Sequence, residues 1–348
     1  MIGLNNNELK MLQSLPLDIK VGKSILRIKE FISHYRIDGV YVSFSGGKDS
    51  SVLLDVVCKF CVLYGYKKIY VAFSDTGLEF PELKQFVGNY VKYLSLKYKI
   101  DVILDKVRPN MSFKQVVSKY GYPVISKKVS RSLHDLQNPT SKNVNIRNLY
   151  LTGITSTGRE CKSRKLAKKY YPLINADFRI HNRCCDKMKK EPLHKYEKDT
   201  NRKAIIGMLA EEGEERKKAY MQHGCINWKK ESCNPLGFWK EQDVLQYIWE
   251  NKIPVASVYG QLIIIDGKFK FTGEQRTGCI FCMYGCHLEK GEDRRFIRLS
   301  KTHPQLYNYC INGGEYDEEG KWVPSNKGLG LGHVLDQINV DYKEVKQE

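Results

Sequence analysis

The stretch Gly39-Val-Tyr-Val-Ser-Phe-Ser-Gly-Gly-Lys-Asp-Ser50 decides the fold. Its first half, Gly39 to Phe44, is rich in β-branched and aromatic residues and predicts a short buried strand. Its second half, Ser45 to Ser50, places two glycines just before a helix that is predicted from Ser50 to Tyr64. Glycine permits a tight turn and close backbone approach, and a helix N-terminus offers unpaired N–H groups and partial positive charge. The stretch therefore predicts a strand, a phosphate-binding loop and a helix.

The segments around this stretch alternate between strands and helices. The predicted helices are 7–35, 81–96 and 241–250, and the further predicted strands are 68–73, 100–104 and 204–208. Leu262 to Phe271 predicts a hairpin that turns at Asp266-Gly267. Residues 135–165 have no clean period and are predicted as loops and helix ends. Alternating strands and helices predict an α/β fold with a doubly wound parallel sheet.

Composition bounds the kind of protein. The chain has 348 residues, of which 42% are hydrophobic, enough for a main domain and a smaller one. It has no apolar run long enough to span a membrane and no signal-peptide pattern at its start, so we expect a cytoplasmic protein with no membrane partner. Lys and Arg outnumber Asp and Glu by 57 to 39, a net charge of +18. This surplus favours polyanions such as nucleotides, tRNA or DNA, although scattered surface lysines are the alternative.

Four of the eleven cysteines form a candidate metal centre. Cytoplasmic thiols stay reduced, so clustered cysteines indicate metal or redox chemistry rather than disulfides. Cys184-Cys185 and the Cys279-Ile-Phe-Cys282 segment supply four thiolates that can surround one centre. Zinc uses the same ligands, usually as two CxxC knuckles, and unligated structural or redox cysteines are a third reading.

The remaining cysteines give weaker signals. Cys286 lies four residues after Cys282 and is a candidate sulfur-carrying nucleophile, an alternative ligand or a buried core residue. Cys225 and Cys233 are a candidate redox pair, for which their loose spacing is a weak signal. Cys58 and Cys61 fall inside the helix that follows the loop and are predicted to be core residues.

The loop Ser-Phe-Ser-Gly-Gly-Lys-Asp-Ser resembles the PP-loop of the ATP pyrophosphatases, which have the adenine nucleotide α-hydrolase-like fold. It is not a Walker A loop, because GxxxxGK[ST] is absent. The resemblance implies that ATP is cleaved between its α- and β-phosphates, with Lys48 and Asp49 as catalytic residues. The implied ATP-binding residues are Ser43, Ser45, Gly46, Gly47, Lys48, Asp49, Ser50, Ser74, Asp75, Thr76 and Gly207. Mg²⁺ normally bridges phosphate oxygens, and Asp49 or Asp75 is expected to place it.

Other segments resemble the phosphoadenosine phosphosulfate (PAPS) reductase branch of that superfamily. Phe73 to Pro81 is similar to its DTG…FPE segment, and Ile205 to Arg216 to its GxRAxES…R segment. Ser232 to Leu236 and Asp243 to Ile248 are similar to its PL…DVW.YI stretch. The cysteine pattern, with Pro192-Leu193 after the CC pair, resembles that of adenylylsulfate (APS) reductases and implies a 4Fe-4S cluster on Cys184, Cys185, Cys279 and Cys282. The resemblance covers roughly residues 38–300.

The chain also departs from that branch. Leu209 stands where the branch has arginine, and Gly328 to His333 carries no thiol in place of the C-terminal catalytic cysteine. The loop has the ATP-cleaving form. These features favour ATP-dependent sulfur transfer to a nucleic-acid or small-molecule acceptor, similar to the DndC-type component of DNA phosphorothioation. An APS/PAPS reductase-like enzyme and a metal-stapled nucleic-acid-binding protein without turnover are the alternatives.

The resemblance divides the chain into three parts. Residues 1–37 are a helical segment, 38–250 the PP-loop domain, and 251–348 a cysteine-bearing, cluster-binding and helical C-terminal region. Expected partners are DNA or tRNA and a sulfur donor such as a cysteine desulfurase, and a homodimer is left open. Lys127, Lys128 and Arg131, in a basic segment, are candidate phosphate contacts, and a solvated face is the alternative interpretation that each residue favours when taken singly.

Overall fold

The structure is a computed structural model that describes residues 3–343. Its helices are α1 Asn6–Gln13, α2 Leu17–Tyr35, α3 Lys48–Leu63, α4 Pro81–Tyr98, α5 Phe113–Tyr120, α6 Lys127–Gln137, α7 Val144–Thr152, α8 Glu191–Thr200, α9 Glu214–His223, α10 Glu241–Glu250, α11 Arg295–Thr302, α12 Pro304–Ile311 and α13 Leu331–Gln337. Its strands are β1 Val40–Ser43, β2 Lys68–Ser74, β3 Asp101–Val107, β4 Lys203–Ile205, β5 Ile226–Asn227, β6 Ser232–Cys233, β7 Leu262–Ile265, β8 Lys268–Phe271, β9 Glu315–Tyr316 and β10 Trp322–Val323.

The chain divides into two compact units, each made of two stretches of sequence. The first unit comprises residues 1–109 and 189–280, and the second comprises residues 110–188 and 281–348. The three-part division at residues 37/38 and 250/251 stays a prediction. In the described part of the chain, no helix has the length and apolar character needed to cross a membrane.

A six-stranded sheet, in the order β3-β2-β1-β4-β6-β5, organises the first unit within the described residues. Strand β1 lies between two parallel neighbours, with Val42 opposite Val71 on β2 and Ile205 on β4. Strand β3 runs parallel to β2 and β6 runs parallel to β4, whereas β5 at the edge pairs antiparallel with β6. The predicted α/β fold with a mainly parallel sheet is therefore confirmed.

The two faces of β1 are covered by different helices because side chains alternate along a strand. Tyr41 faces a small cluster with Ala72, Ala204 and Tyr196 of α8. Alternation places Val40 and Val42 on the other face, where both are fully buried. Helix α3, which follows β1 directly, packs on β1 and β2.

Several predicted elements match and three are corrected. The helix predicted over 7–35 is two helices, because Pro16 is the N-cap residue of α2 and a proline disfavours helical backbone in the residue before it. The strand predicted over 204–208 ends at Ile205, so Gly207 lies in the following loop. Residues 135–165 contain the end of α6 and all of α7, where tertiary packing stabilises helices of weak periodicity. The β7–β8 hairpin turns at Asp266-Gly267 as predicted, and both residues have the positive φ that a type I′ turn requires.

The second unit is held by side-chain hydrogen bonds as well as by apolar packing. The Tyr122 hydroxyl donates to the Leu329 carbonyl at 2.8 Å and its ring meets Phe178 edge-on. Asp177 accepts hydrogen bonds from Tyr316 and Gln337 and contacts His333 at 2.9 Å. These contacts join the residues before Cys184 to the C-terminal segment of the same unit.

A buried carboxylate braces α3 in the first unit. Asp55 is completely buried. It accepts hydrogen bonds from Tyr247 of α10 at 2.7 Å and from Tyr98 at 2.8 Å, and it pairs with Lys97 at 2.9 Å. A buried charge is tolerated only when it is paired and hydrogen-bonded, so these donors keep the helices in register around Asp55.

We predict that Tyr247→Phe lowers the free energy of unfolding by about 1.5–3 kcal/mol, because the ring is kept but the buried carboxylate loses a donor. Urea denaturation followed by circular dichroism measures the change. Tyr64→Phe, at the end of α3, makes the same chemical change on a half-buried ring and should cost less than about 0.5 kcal/mol. Equal losses in the two variants would contradict a special role for the Asp55 cluster.

Candidate active site

The glycine-containing loop lies where the winding of the sheet changes direction. Strands β2 and β3 extend the sheet on one side of β1, and β4 begins its extension on the other side. In open α/β sheets such a switch point leaves a crevice at the carboxyl ends of the strands, and ligands bind there. The loop follows β1 at that edge and runs into α3, whose N-terminus carries partial positive charge.

The loop is held tightly by its own hydroxyl groups. Ser45 Oγ and Ser50 Oγ lie 3.1 Å apart, and Ser50 Oγ also donates to the Gly47 carbonyl at 2.9 Å. Gly46 has φ +75°, and a Cβ at this position would lie 2.8 Å from Val87 Cγ2. Both facts require glycine at position 46. The predicted loop residues are thus brought into one compact turn.

Lys48 is buried beside the loop rather than extended into solvent. Its ammonium contacts Glu241 at 3.1 Å, Asp49 at 3.4 Å and the Gln275 carbonyl at 3.4 Å. Burial disfavours the charged ammonium, but Asp49, Glu241 and Tyr259 outweigh this effect, so the pKa of Lys48 is raised above its ordinary value. Lys48 is therefore a fixed positive charge that orients Asp49.

Asp49 carries an unsatisfied oxygen. Its Oδ2 faces Lys48, whereas its Oδ1 is buried and has no hydrogen-bond partner among the described residues. A buried carboxylate oxygen without a partner is costly, and such groups mark functional sites. Mg²⁺ takes oxygen ligands from one or two carboxylates and from substrate phosphates. The Asp49 carboxylate, next to the predicted phosphate-binding loop, therefore fits the expected metal.

Two arginines that the sequence analysis did not assign lie at this site. Arg216 of α9 interacts electrostatically with Asp49 and with Arg276. Burial and then repulsion from Arg276 lower the pKa of Arg216, and Asp49 opposes the shift. Two guanidinium groups that repel each other favour binding of an anion between them.

The segment around Thr277 reaches the loop as well. Tyr259 is buried, accepts from the Lys48 backbone N–H at 2.9 Å and shares a 2.8 Å hydrogen bond with Thr277 Oγ1. Nothing in the local pattern of Glu241, Tyr259 or Thr277 points to the loop, because each is distant in sequence. Arg216 and Arg276 did carry a signal, since both lie inside segments that resemble the reductase branch.

The second predicted phosphate segment is ordered by its own contacts. Asp75 pairs with Lys84 at 3.2 Å and Arg108 at 3.3 Å. Burial would raise the pKa of Asp75, but the two cations outweigh it and lower that pKa. Thr76 Oγ1 donates to Glu79 at 2.6 Å. The roles of these residues toward ATP stay predictions.

The other predicted ATP-site residues lie at strand ends on the same edge. Ser43 ends β1 and Ser74 ends β2. Gly207 follows β4, and a Cβ there would lie 3.3 Å from the Asp49 carbonyl oxygen. A glycine at position 207 therefore allows the chain that leaves β4 to approach the first turn of α3.

Three of the four predicted cluster cysteines lie in the second unit and share a neighbour. Burial raises the pKa of Tyr284, and Cys185, Cys184 and Cys282 all add to this shift, so the three thiols lie around its hydroxyl. Cys279 falls in the last residues of the first unit. Over the described residues, no group of three or more His, Cys, Asp or Glu side chains is arranged to hold a metal.

The other cysteines are mostly buried thiols. Cys286 is buried, donates to the Met283 carbonyl at 2.9 Å and has its pKa raised to about 12 by burial, so its thiol stays protonated at neutral pH. Burial and a protonated thiol disfavour a nucleophilic role for Cys286, and that role stays a prediction. Burial raises the pKa of Cys58 well above its ordinary value and that of Cys61 to about 12, and the prediction that both are core residues is confirmed.

Comparisons with known proteins place this geometry in a family. The family model of the phosphoadenosine phosphosulfate reductase domain matches residues 39–136 and 135–284, which include the loop, both arginines and the four predicted cluster cysteines. No curated protein matches the chain. Among solved structures, the phosphoadenylyl-sulfate (PAPS) reductase from Candida auris, a phosphate complex, is similar with 14% identity and a TM-score of 0.35 over 74% of this chain and 91% of that one. On the extent of the family match, the chain belongs to the phosphoadenosine phosphosulfate reductase domain family.

Proposed function

We propose that this protein cleaves ATP to AMP and pyrophosphate and uses the adenylate to transfer sulfur to an acceptor. The observation that carries the proposal is Asp49, whose buried Oδ1 lacks a hydrogen-bond partner among the described residues and which lies at the end of a glycine loop on a sheet switch point. A protein that only recognised a nucleotide would not need to keep a carboxylate oxygen unsatisfied beside its phosphates. A metal-binding role in ATP cleavage explains the cost.

The positive groups around Asp49 suit a pyrophosphate leaving group. Arg216 acts electrostatically on Asp49 and on Arg276 and also pairs with Glu212, and the α3 N-terminus adds partial positive charge at the end of the loop. Charge builds on the bridging oxygen and on the pyrophosphate as the bond to the α-phosphorus breaks, so fixed donors and cations lower the barrier. Mg²⁺ held by Asp49 would add Lewis-acid stabilisation of the same oxygens.

The individual roles follow from the contacts. Ser45, Gly46, Gly47 and Ser50 form the turn that cradles the phosphates, and Lys48 orients Asp49 while remaining paired with Glu241. Ser43, Ser74, Asp75, Thr76 and Gly207 complete the proposed ATP site at the strand ends.

The proposed sulfur transfer takes place in two steps. An acceptor oxygen attacks the α-phosphorus of ATP, pyrophosphate leaves, and the acceptor carries AMP on that oxygen. A sulfur nucleophile then attacks the activated atom of the acceptor and AMP leaves with the oxygen. A persulfide delivered by a cysteine desulfurase needs two further electrons from a thiol reductant, which cleave the sulfur–sulfur bond after transfer.

We also propose that Cys184, Cys185, Cys279 and Cys282 hold a 4Fe-4S cluster. Four thiols suit such a cluster, and the electrostatic proximity of three of them to Tyr284 supports their association. When bound, the cluster would supply one-electron redox chemistry. The sulfur-transfer steps above use only the groups of the ATP site and the donor.

The alternative enzymes give different products. A reductase acting on APS or PAPS would release sulfite with a thiol reductant and would not need ATP. A nucleic-acid-binding protein without turnover would form neither AMP nor sulfite. Incubating the anaerobically purified protein with Mg²⁺ and ATP, with and without nucleic acid, and measuring AMP and pyrophosphate separates ATP-dependent transfer from the other two functions. Release of sulfite from APS or PAPS with a thiol reductant then separates the reductase from the binding protein.

We predict that Asp49→Asn lowers ATP cleavage by roughly 100-fold, because the amide keeps the shape of the side chain but removes the charge that binds the metal and pairs with Lys48. Release of AMP from ATP labelled at the α-phosphate measures the rate.

The matched control is Asp266→Asn, the same chemical change at the exposed hairpin turn, where asparagine tolerates a positive φ. This variant should cleave ATP within about twofold of the wild-type rate, within the range of neutral surface changes. Full ATP cleavage by Asp49→Asn would overturn the proposed role of this carboxylate, and absence of cleavage by the wild type would overturn the proposed function.

We predict that the anaerobically purified protein is brown and contains iron and acid-labile sulfide, and that Cys279→Ser loses most of both, because one of the four thiolate ligands is removed. Metal analysis and visible absorbance measure the content. Cys161→Ser changes a half-buried cysteine outside the proposed set and should leave iron and sulfide unchanged. A colourless protein that contains zinc would contradict the cluster.

A further inference from the structure

Half of the net charge of this protein lies in one short part of the second unit. Residues 127–169 contain eleven Lys and Arg and two acidic residues, Asp135 and Glu160, a net charge of +9 of the +18 in the whole chain. We define these cations as the basic surface: Lys127, Lys128, Arg131, Lys142, Arg147, Arg159, Lys162, Arg164, Lys165, Lys168 and Lys169. All except half-buried Arg147 are exposed.

Contacts within the unit bring the helical and loop parts of the basic surface together. Lys128 of α6 contacts the carbonyl of Ser163. Arg131 and Arg164, from α6 and from the loop after α7, both act electrostatically on the hydroxyl of Tyr150. Backbone bonds from Cys161 to Gly153 and from Leu166 to Tyr150 fold the loop back on α7. The cations therefore share one region rather than being scattered.

Acidic partners do not compensate this charge within the described residues. Within residues 3–343, Lys162 is the one cation of the basic surface that forms a salt bridge, with Glu160 at 3.6 Å. Arg147 Nε is buried and has no hydrogen-bond partner in the described part of the chain. Lys127 and Lys128 also begin α6, whose first turn has no acidic residue. Cations at the positive end of a helix are unfavourable, so an external anion would relieve this repulsion.

The composition of the loop points to a nucleic acid as that anion. Hydroxyl side chains of Thr155, Ser156, Thr157 and Ser163 are interleaved with its cations. Lys, Arg, Ser and Thr are the residues that contact phosphodiester backbones, and a net charge of +9 suits a polyanion rather than one phosphate. The Lys169 ammonium also lies 5.0 Å from the centre of the Tyr170 ring. Aromatic rings among cations are typical of protein sites that bind single-stranded or unpaired bases.

We infer that the basic surface binds the phosphate backbone of a nucleic acid. The inference that the basic surface binds nucleic acid does not depend on the ATP site. The identification of the bound nucleic acid as the sulfur acceptor rests on the proposed function. The shared chemistry is the phosphodiester backbone of DNA or RNA, and the two sources are separated by the experiment.

The test compares two triple variants of the full-length protein. Lys162→Glu, Lys165→Glu and Lys168→Glu reverse exposed charges on the basic surface, and Lys229→Glu, Lys268→Glu and Lys270→Glu reverse three exposed charges in the first unit. Fluorescence anisotropy measures binding to a DNA duplex of about 30 base pairs and to total tRNA, between about 50 and about 200 mM salt. ATP cleavage without nucleic acid is measured in parallel.

We predict that the basic-surface variant binds its preferred nucleic acid at least about 10-fold more weakly, with a log–log salt slope smaller by roughly 3, because up to three phosphate contacts are lost. The first-unit variant should lose no more than about threefold, and both should cleave ATP like the wild type. Tighter binding of DNA than tRNA, or the reverse, identifies the source of the ligand and supports the inference in either case.

Three results would overturn the inference. Equal loss of binding in both variants would show that overall charge, not this surface, governs binding. If the wild-type protein cleaves ATP but binds neither nucleic acid, the proposed ATP cleavage stands and the inferred nucleic-acid binding is overturned. Tighter binding to phosphatidylglycerol vesicles than to either nucleic acid would assign the surface to anionic lipid. Conversely, nucleic-acid binding that is lost only in the basic-surface variant, in a protein that does not cleave ATP, would support the inferred binding surface and overturn the proposed function.

Discussion

Parallel pairing of β1 along both of its edges is the constraint on which the first unit depends. Because β2 and β4 flank β1, the chain must leave β1 at the point where the sheet changes its winding direction. The exit has little room: a side chain at Gly46 would meet Val87, and one at Gly207 would meet the first turn of α3. The glycine loop is thus the backbone that fits this junction, and the same junction aims the positive end of α3 into the crevice.

Helix α3 carries two aspartates whose surroundings differ. Asp55 is completely buried and surrounded by hydroxyl and ammonium donors from α3, α4 and α10. Its negative charge therefore stabilises the packing of these helices. Asp49, less than two turns earlier, has one oxygen on Lys48 and one with no partner among the described residues. A satisfied carboxylate stabilises a fold, whereas an unsatisfied one keeps its affinity for a cation. Asp55 therefore stabilises the fold, whereas Asp49, at the N-terminal end of the same helix, keeps an oxygen for the proposed metal.

The sequence anticipated much of the fold, because its signals are local. A run of β-branched residues, a glycine turn and a helix with an apolar face can be read within about 25 residues, as in the Gly39 to Tyr64 stretch. The same holds for the β7–β8 hairpin, which is specified by Asp266-Gly267, and for α10. Failures came where the signal was short or indirect. Pro16 divides the N-terminal helix, and β4 ends before Gly207, because a three-residue strand has too few positions to show alternation.

The loop and its residue types were determined by the sequence alone, and so was the list of cysteines that could hold a metal. The partners of those residues were decided by tertiary structure. Lys48 looks like a free phosphate-binding charge in the sequence, but folding buries it against Glu241. Arg216 acts electrostatically on Asp49 from a segment about 170 positions away, and Arg276 acts in turn on Arg216. The charge around a site is a sum over groups that lie close in space. Spacing along the chain determines that sum only within one helix or strand. Tertiary packing therefore decides which carboxylate gains hydrogen-bond partners from other elements and which keeps an unpaired oxygen.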